Sequence, residues 1–72
     1  MLKITVAEKL RLITRRQNMS IADLAAATHQ SKQNLSNKLS RGNFSELDID
    51  RYAEALGCTV DITFTLPDGT QI

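Results

Sequence analysis

Cysteine is nearly absent. The 72-residue chain has one, Cys58, so no intrachain disulfide can form, and a reducing, cytoplasmic setting suits it. With one histidine, His29, beside that one cysteine, the chain lacks the nitrogen and sulfur ligands of a structural zinc site. That histidine falls between two expected helices with no Asp or Glu evident to orient it, which removes Ser/His nucleophilic catalysis. Three glycines offer no phosphate-cradling loop. The chain is therefore not expected to be an enzyme or to carry a cofactor or metal. Aromatics are scarce as well. Phe44, Tyr52 and Phe64 are the only ones, and each suits a core better than an RNA-stacking platform. Apolar runs reach only a few residues, against the ~20 that span a bilayer. Met1-Leu2-Lys3-Ile4 leads straight into a charged amphipathic stretch, so neither a membrane nor a signal peptide is expected.

What remains is one small folded domain. Its 42% hydrophobic and 24% charged residues are those of a folding chain and not of a disordered tail. At this length the core is thin, and a deep enclosed pocket is not expected. The net charge of +1 conceals a division. Residues 1–43 carry eight lysines and arginines against Glu8 and Asp23, a balance of +6; residues 44–72 carry Arg51 against six carboxylates, a balance of −5. A basic face at one end is the electrostatic footprint of a polyanion binder.

Three segments open alike. Thr5/Glu8, Ser20/Asp23 and Ser45/Asp48 each have the spacing of a capping box, and each precedes an apolar-periodic stretch. Met19 and Phe44 stand where hydrophobic staples to Leu24 and Ile49 would form. The spacing predicts a first helix over 6–17, with Val6, Ala7, Leu10 and Ile13 inward and Asn18 as its C-cap. A second runs over 21–28, burying Ile21, Leu24 and Ala25. Ser31 caps a third over 32–40, with Leu35 and Leu39 inward and Gly42 as a left-handed stop. A fourth, over 46–56, turns Leu47, Ile49, Tyr52, Ala53 and Leu56 inward and stops at Gly57. Beyond it the period drops to two: Val60, Ile62, Phe64 and Leu66 alternate with Thr59, Asp61, Thr63 and Thr65. This predicts a half-buried strand over 59–66, a turn at Pro67-Asp68-Gly69 and a returning strand over 70–72. Cys58, beside that strand, reads as a small buried hydrophobe. The expected architecture is mainly α, four to five helices with a C-terminal β-hairpin: residues 1–57 the helical domain, 58–72 the hairpin packed on it.

The second and third helices are too short to persist alone in water. Packing must hold them at a fixed angle, Ala25 giving the close crossing and Leu24, Leu35 and Leu39 the contact with the first helix. Two such helices joined by a short turn form a helix-turn-helix. Residues 20–39, SIADLAAATHQSKQNLSNKL, followed by Arg41-Gly42, resemble the Cro-like phage-repressor (XRE-type) helix-turn-helix family. FSELDIDRYAEALG at 44–57 is similar to that family's fourth helix, and the resemblance covers residues 5–57. Its most specific marks are Leu24-Ala25, Ser31, Leu35 and Ala55-Leu56-Gly57. The chain departs from the pattern in three places. His29 and Gln30 stand where the family has a glycine and an aliphatic residue. The second inward residue of helix three is Leu39, with Lys38 at the usual place. A strand replaces the short fifth helix of many members.

Taking helix three at about 100° per residue and centring its buried side between Leu35 and Leu39, Asn37 points directly away, with Gln33 and Arg41 about 140° off. No carboxylate occurs between Asp23 and Glu46. Gln and Asn offer the paired donor and acceptor that adenine presents for in the major groove, and Lys32 at the helix tip can reach guanine or a phosphate. Lys32, Gln33, Ser36 and Asn37 are thus the expected base readers. Ser20, Ser31, Arg41, Asn43 and Arg16, with the N-terminal amides of helix two, are the expected phosphate contacts. The resemblance implies a repressor-like regulator of transcription binding double-stranded DNA as a homodimer. The strand over 59–66, with one apolar face and an edge that a three-residue partner leaves unpaired, is the expected dimerisation element; a hairpin folded only onto its own helices is the alternative. An alternative reading is an antitoxin-like interaction module, whose acidic stretch 46–54 binds a toxin-like partner protein while the helix-turn-helix binds its own operator.

Overall fold

Each helix begins at a hydroxyl. In a computed structural model describing residues 4–72, Thr5, Ser20, Ser31 and Ser45 are the N-caps of α1 (Val6–Arg16), α2 (Ile21–Ala27), α3 (Lys32–Arg41) and α4 (Glu46–Ala55). Each hydroxyl oxygen accepts the backbone N–H three residues on, at 3.0–3.2 Å. Asp23 and Asp48 reach back to the cap N–H and complete the boxes at Ser20 and Ser45. At Thr5 only the forward bond forms, so Glu8 does not close the box.

Each helix also ends alike. Asn18, His29, Gly42 and Gly57 take left-handed φ values of 56°, 58°, 64° and 69°. The residue after each donates its N–H five positions back: Met19 to Thr14, Gln30 to Ala25, Asn43 to Lys38 and Cys58 to Ala53, at 2.8–3.2 Å. These 6→1 bonds are Schellman terminations, which satisfy carbonyls that a helix end otherwise leaves bare. Asn18 therefore follows the cap, which is Gln17. Glycine is the residue least strained at such a φ. His29 adopts it nonetheless, so the turn keeps its geometry where the chain departs from the usual glycine.

The core forms around α2, which packs against the other three helices. Leu24 and Ala25 meet Ala7, Leu10, Leu35, Leu39, Tyr52 and Leu56 in one buried cluster. Ile13, Met19, Ile21, Phe44, Ala55 and Cys58 cover it partly. Phe44 meets the Tyr52 ring edge-on, with centroids 5.8 Å apart. At the far end of the core the Gln17 amide donates to the Leu56 carbonyl at 2.8 Å, tying the ends of α1 and α4 together. Thr14 is a buried polar residue that the apolar period did not single out; its hydroxyl donates to the Arg11 carbonyl at 2.9 Å, so it enters the core without an orphaned group.

Four expectations are corrected. Leu47 is not inward: it is 57% exposed on the outer side of α4, and Val6 lies at the rim of the core. There is no fifth helix among the described residues. There is also no β-strand among them, so the C-terminal hairpin does not form as expected. The turn does form. Asp68 Oδ1 accepts the N–H and hydroxyl of Thr70 at 3.0 and 2.7 Å, and Phe64 and Ile72 exchange backbone bonds at 2.8 and 2.9 Å. Between that pair and the turn lies an isolated antiparallel bridge, Thr65 to Gln71, the only bridge among the described residues. A return of three residues cannot pair a strand of eight, and a lone two-stranded ladder is marginal in water. Every residue from Thr59 to Ile72 is exposed, including Val60, Ile62, Phe64 and Leu66, which the alternation had half-buried.

Candidate nucleic-acid interface

The third helix is fixed from below and bare above. Leu35 is fully buried and Leu39 nearly so, while Ser31 at one end and Gly42 at the other cap it. That leaves Lys32, Gln33, Asn37, Ser40 and Arg41 exposed and Ser36 half-buried. Three of the four expected base readers thus lie on the open side of α3, with Ser36 at its margin. Gln33 Nε2 donates to Asn37 Oδ1 at 3.2 Å. The two amides form a pair one turn apart, and among the described residues Gln33 Oε1 and Asn37 Nδ2 have no hydrogen-bond partner. No acid lies on the helix. A positive, amide-rich ridge on a rigid support is chemically suited to base edges set in a lattice of phosphates.

The five expected phosphate ligands are all exposed. Arg41 is in the last turn of α3, Asn43 follows Gly42, and Ser31 is the α3 N-cap. Arg16 and Ser20 flank the α1–α2 junction, and no hydrogen bond joins them to the α3 group. As caps, Ser20 and Ser31 use their oxygens as acceptors, which leaves each hydroxyl proton available to donate outward. The N-terminal amides of α2 are in a different position. Asp23 sits among them, its carboxylate accepting the Ser20 N–H at 2.9 Å. That bond, and the contact with the Ser20 side chain, hold the Asp23 carboxyl below its ordinary value of 3.8. The α2 end thus already carries an anion where a phosphate was expected.

Two residues that position α3 were not recognised from the sequence. Gln30, in the turn, donates to Thr28 Oγ1 at 2.9 Å and to the buried Tyr52 hydroxyl at 3.3 Å, and accepts from Asn34 Nδ2 at 3.1 Å. One amide thereby joins α2, α4 and the first turn of α3, in place of an aliphatic plug. Lys38 reaches across to Asp48 on α4, with Nζ 3.3 Å from both carboxylate oxygens. Asp48 is held below the ordinary carboxylate value, first by the Ser45 backbone N–H and further by Lys38. The signal for both was their departure from the family pattern: a polar side chain at an inward position needs a partner.

No curated protein and no solved structure gives a significant match to the chain. A family model does, described as the Cro/C1-type HTH DNA-binding domain, over residues 9–61. That span takes in α2, α3 and α4 whole, together with the turn that holds Gln30 and the open side of α3. The chain belongs to the Cro/C1-type helix-turn-helix family of DNA-binding domains.

Proposed function

We propose that this DNA-binding domain is a sequence-specific, repressor-like regulator that inserts α3 into the major groove of duplex DNA. One observation carries the reading: the acid-free open side of α3, with Gln33 and Asn37 exposed over the buried Leu35 and Leu39. Lys32, Gln33, Ser36 and Asn37 read base edges, with the Gln33–Asn37 pair acting as one unit of donors and acceptors. Ser20, Ser31, Arg41, Asn43 and Arg16 fix the register on the phosphates and carry no sequence information. One helix reads only a few base pairs, so two copies bind half-sites ~34 Å apart, joined through residues 58–72. Site selection from random duplex at two salt concentrations tests this. The expected result is one recovered half-site motif and steeply salt-dependent affinity; salt-independent recovery without a motif overturns it.

A second reading has its own support on α4. Leu47 is exposed beside Glu46 and Asp50, an apolar residue in an acidic setting. That surface suits a basic partner protein, as in an antitoxin that also binds its operator. Specific co-purification of a basic protein, lost on Leu47→Arg, is the result that supports it.

A further inference from the structure

A series of hydrogen bonds with one fixed direction runs from the core to the surface of α3. The Thr28 hydroxyl, at the end of α2, has a single proton and gives it to the Leu24 and Ala25 carbonyls, at 2.8 and 3.2 Å. Toward Gln30 its oxygen can therefore only accept. The Gln30 amide turns Nε2 to that oxygen at 2.9 Å and to the hydroxyl of the buried Tyr52 at 3.3 Å. With both Nε2 protons spent inward, Oε1 is left on the side of α3, where it accepts from Asn34 Nδ2 at 3.1 Å. A flipped Gln30 would set its carbonyl oxygen against the Thr28 oxygen, two acceptors with no proton between them. Each bond thus dictates the orientation of the next group.

The last amide of the series lies at the surface. Asn34 is exposed, in the first turn of α3. At about 100° per residue it stands about 60° round the helix from Asn37, which points away from the core. Because Gln30 holds its Nδ2, Asn34 Oδ1 lies on the other side of the amide, with no hydrogen-bond partner among the described residues. Gln33 and Asn37 differ in this respect. They are tied to each other, so both can turn over together and exchange donor for acceptor. Asn34 is anchored to the core and has no such freedom.

We infer that Asn34 is a fifth base reader, that it takes a base offering an exocyclic amine, adenine N6 or cytosine N4, and that Gln30 is the positioning residue that sets this choice. This rests on the proposed insertion of α3 into the major groove, and adds to it one reader and the chemistry that reader selects. In that groove adenine and cytosine present an amine donor where thymine and guanine present a carbonyl acceptor. The outward oxygen of Asn34 accepts from the first two and meets the others lone pair to lone pair. An untethered asparagine turns its amide over and accommodates either kind. Asn34 can do so only by giving up its bond to Gln30, which leaves Oε1 of Gln30 without that partner. The same polarity turns Oδ1 away from the phosphates, whose oxygens are acceptors too.

Half-sites selected from random duplex by the full-length chain test this, with Asn34→Ala, Gln30→Leu and Gln33→Ala beside the wild type. Asn34→Ala is expected to lose the preference at one position of the motif and to keep the rest. Gln30→Leu retains Asn34 but unties its amide, so the same position relaxes while the helical circular dichroism is unchanged. At that position the adenine or cytosine is then replaced by purine or 2-pyrimidinone, which lack the amine. The wild type is expected to bind the altered duplex about ten-fold more weakly, and Asn34→Ala to bind both duplexes equally. A purely structural role for Gln30 shifts affinity evenly across sequences and leaves the motif as it was. The inference is overturned by a motif that Asn34→Ala or Gln30→Leu leaves unchanged, or by amine removal that weakens the wild type and Asn34→Ala alike. A motif altered by Gln33→Ala but not by Asn34→Ala keeps α3 in the groove and removes Asn34 from the readers; a wild type that selects no motif removes both.

Discussion

At the scale of the residue, the open side of α3 was legible because it follows from helical geometry alone. Once Leu35 and Leu39 are inward, Asn37 must be outward, and it is. What could not be read was how amides use one another. Gln33 is tied to Asn37 and Gln30 to Tyr52, and such pairings depend on side-chain rotamers that no spacing encodes. Gln33→Ala removes a base contact and frees Asn37 as well. Discrimination at one or two base pairs is expected to fall by about 1–3 kcal/mol each. Comparing selected half-sites of wild type and variant checks this; an identical motif removes Gln33 from the readers. His29 makes a separate point. A left-handed φ costs an L-residue about 1–2 kcal/mol, and His29 holds φ 58° on an exposed side chain with no hydrogen bond to it among the described residues. After the entropy cost that glycine brings, His29→Gly is expected to stabilise the fold by about 0.5–1 kcal/mol. A raised urea midpoint at unchanged m-value is the readout.

At the scale of the element, the helices were legible because their ends are local. A hydroxyl cap opens each helix, with a carboxylate three residues on at α1, α2 and α4, and the four helices keep the expected bounds to within one residue. The C-terminal strand was not legible for the opposite reason. Alternation says which side chains share a face, but a strand needs a partner, and residues 70–72 are too few to supply one. Asp48 shows the local logic at work, since it caps α4 and receives Lys38 from α3. Asp48→Ala removes both and is expected to cost about 1–2 kcal/mol, most of it from the cap, because a partly exposed ion pair contributes little by itself. Its folded carboxyl lies below 3.8, the ordinary value. The cap's contribution is therefore fully present above that value and is lost as the pH falls through the depressed one. Urea midpoints measured from pH 6 down to 2 are expected to drop at the acid end. The drop is smaller in Asp48→Ala, and equal slopes in the two proteins would deny Asp48 this role.

At the scale of the whole molecule, the division of charge puts +6 on residues 1–43 and −5 on residues 44–72, and the fold keeps the two apart where it matters. The one acid drawn toward α3 is Asp48, which neutralises Lys38 and leaves Lys32 and Arg41 exposed. Lys38 therefore contributes little to the field that a duplex meets, although its charge counts in the sequence total. Among the described residues Arg41, like Lys32, adds to α3 without an opposing carboxylate, and it also stands in the last turn, where a cation favours the helix dipole. The two roles separate by salt. Each phosphate neutralised releases condensed counterions, so Arg41→Ala is expected to lower the slope of log K against log salt by about 0.9. Affinity falls by the same factor for cognate and random duplex, because a phosphate contact carries no sequence. A helix-dipole role alone leaves that slope untouched and lowers thermal stability instead. Titrating both duplexes at four salt concentrations, with melting curves of the free proteins beside them, decides between the two. A slope equal to wild type with a lowered Tm takes Arg41 off the phosphate backbone and returns it to the cap of its own helix.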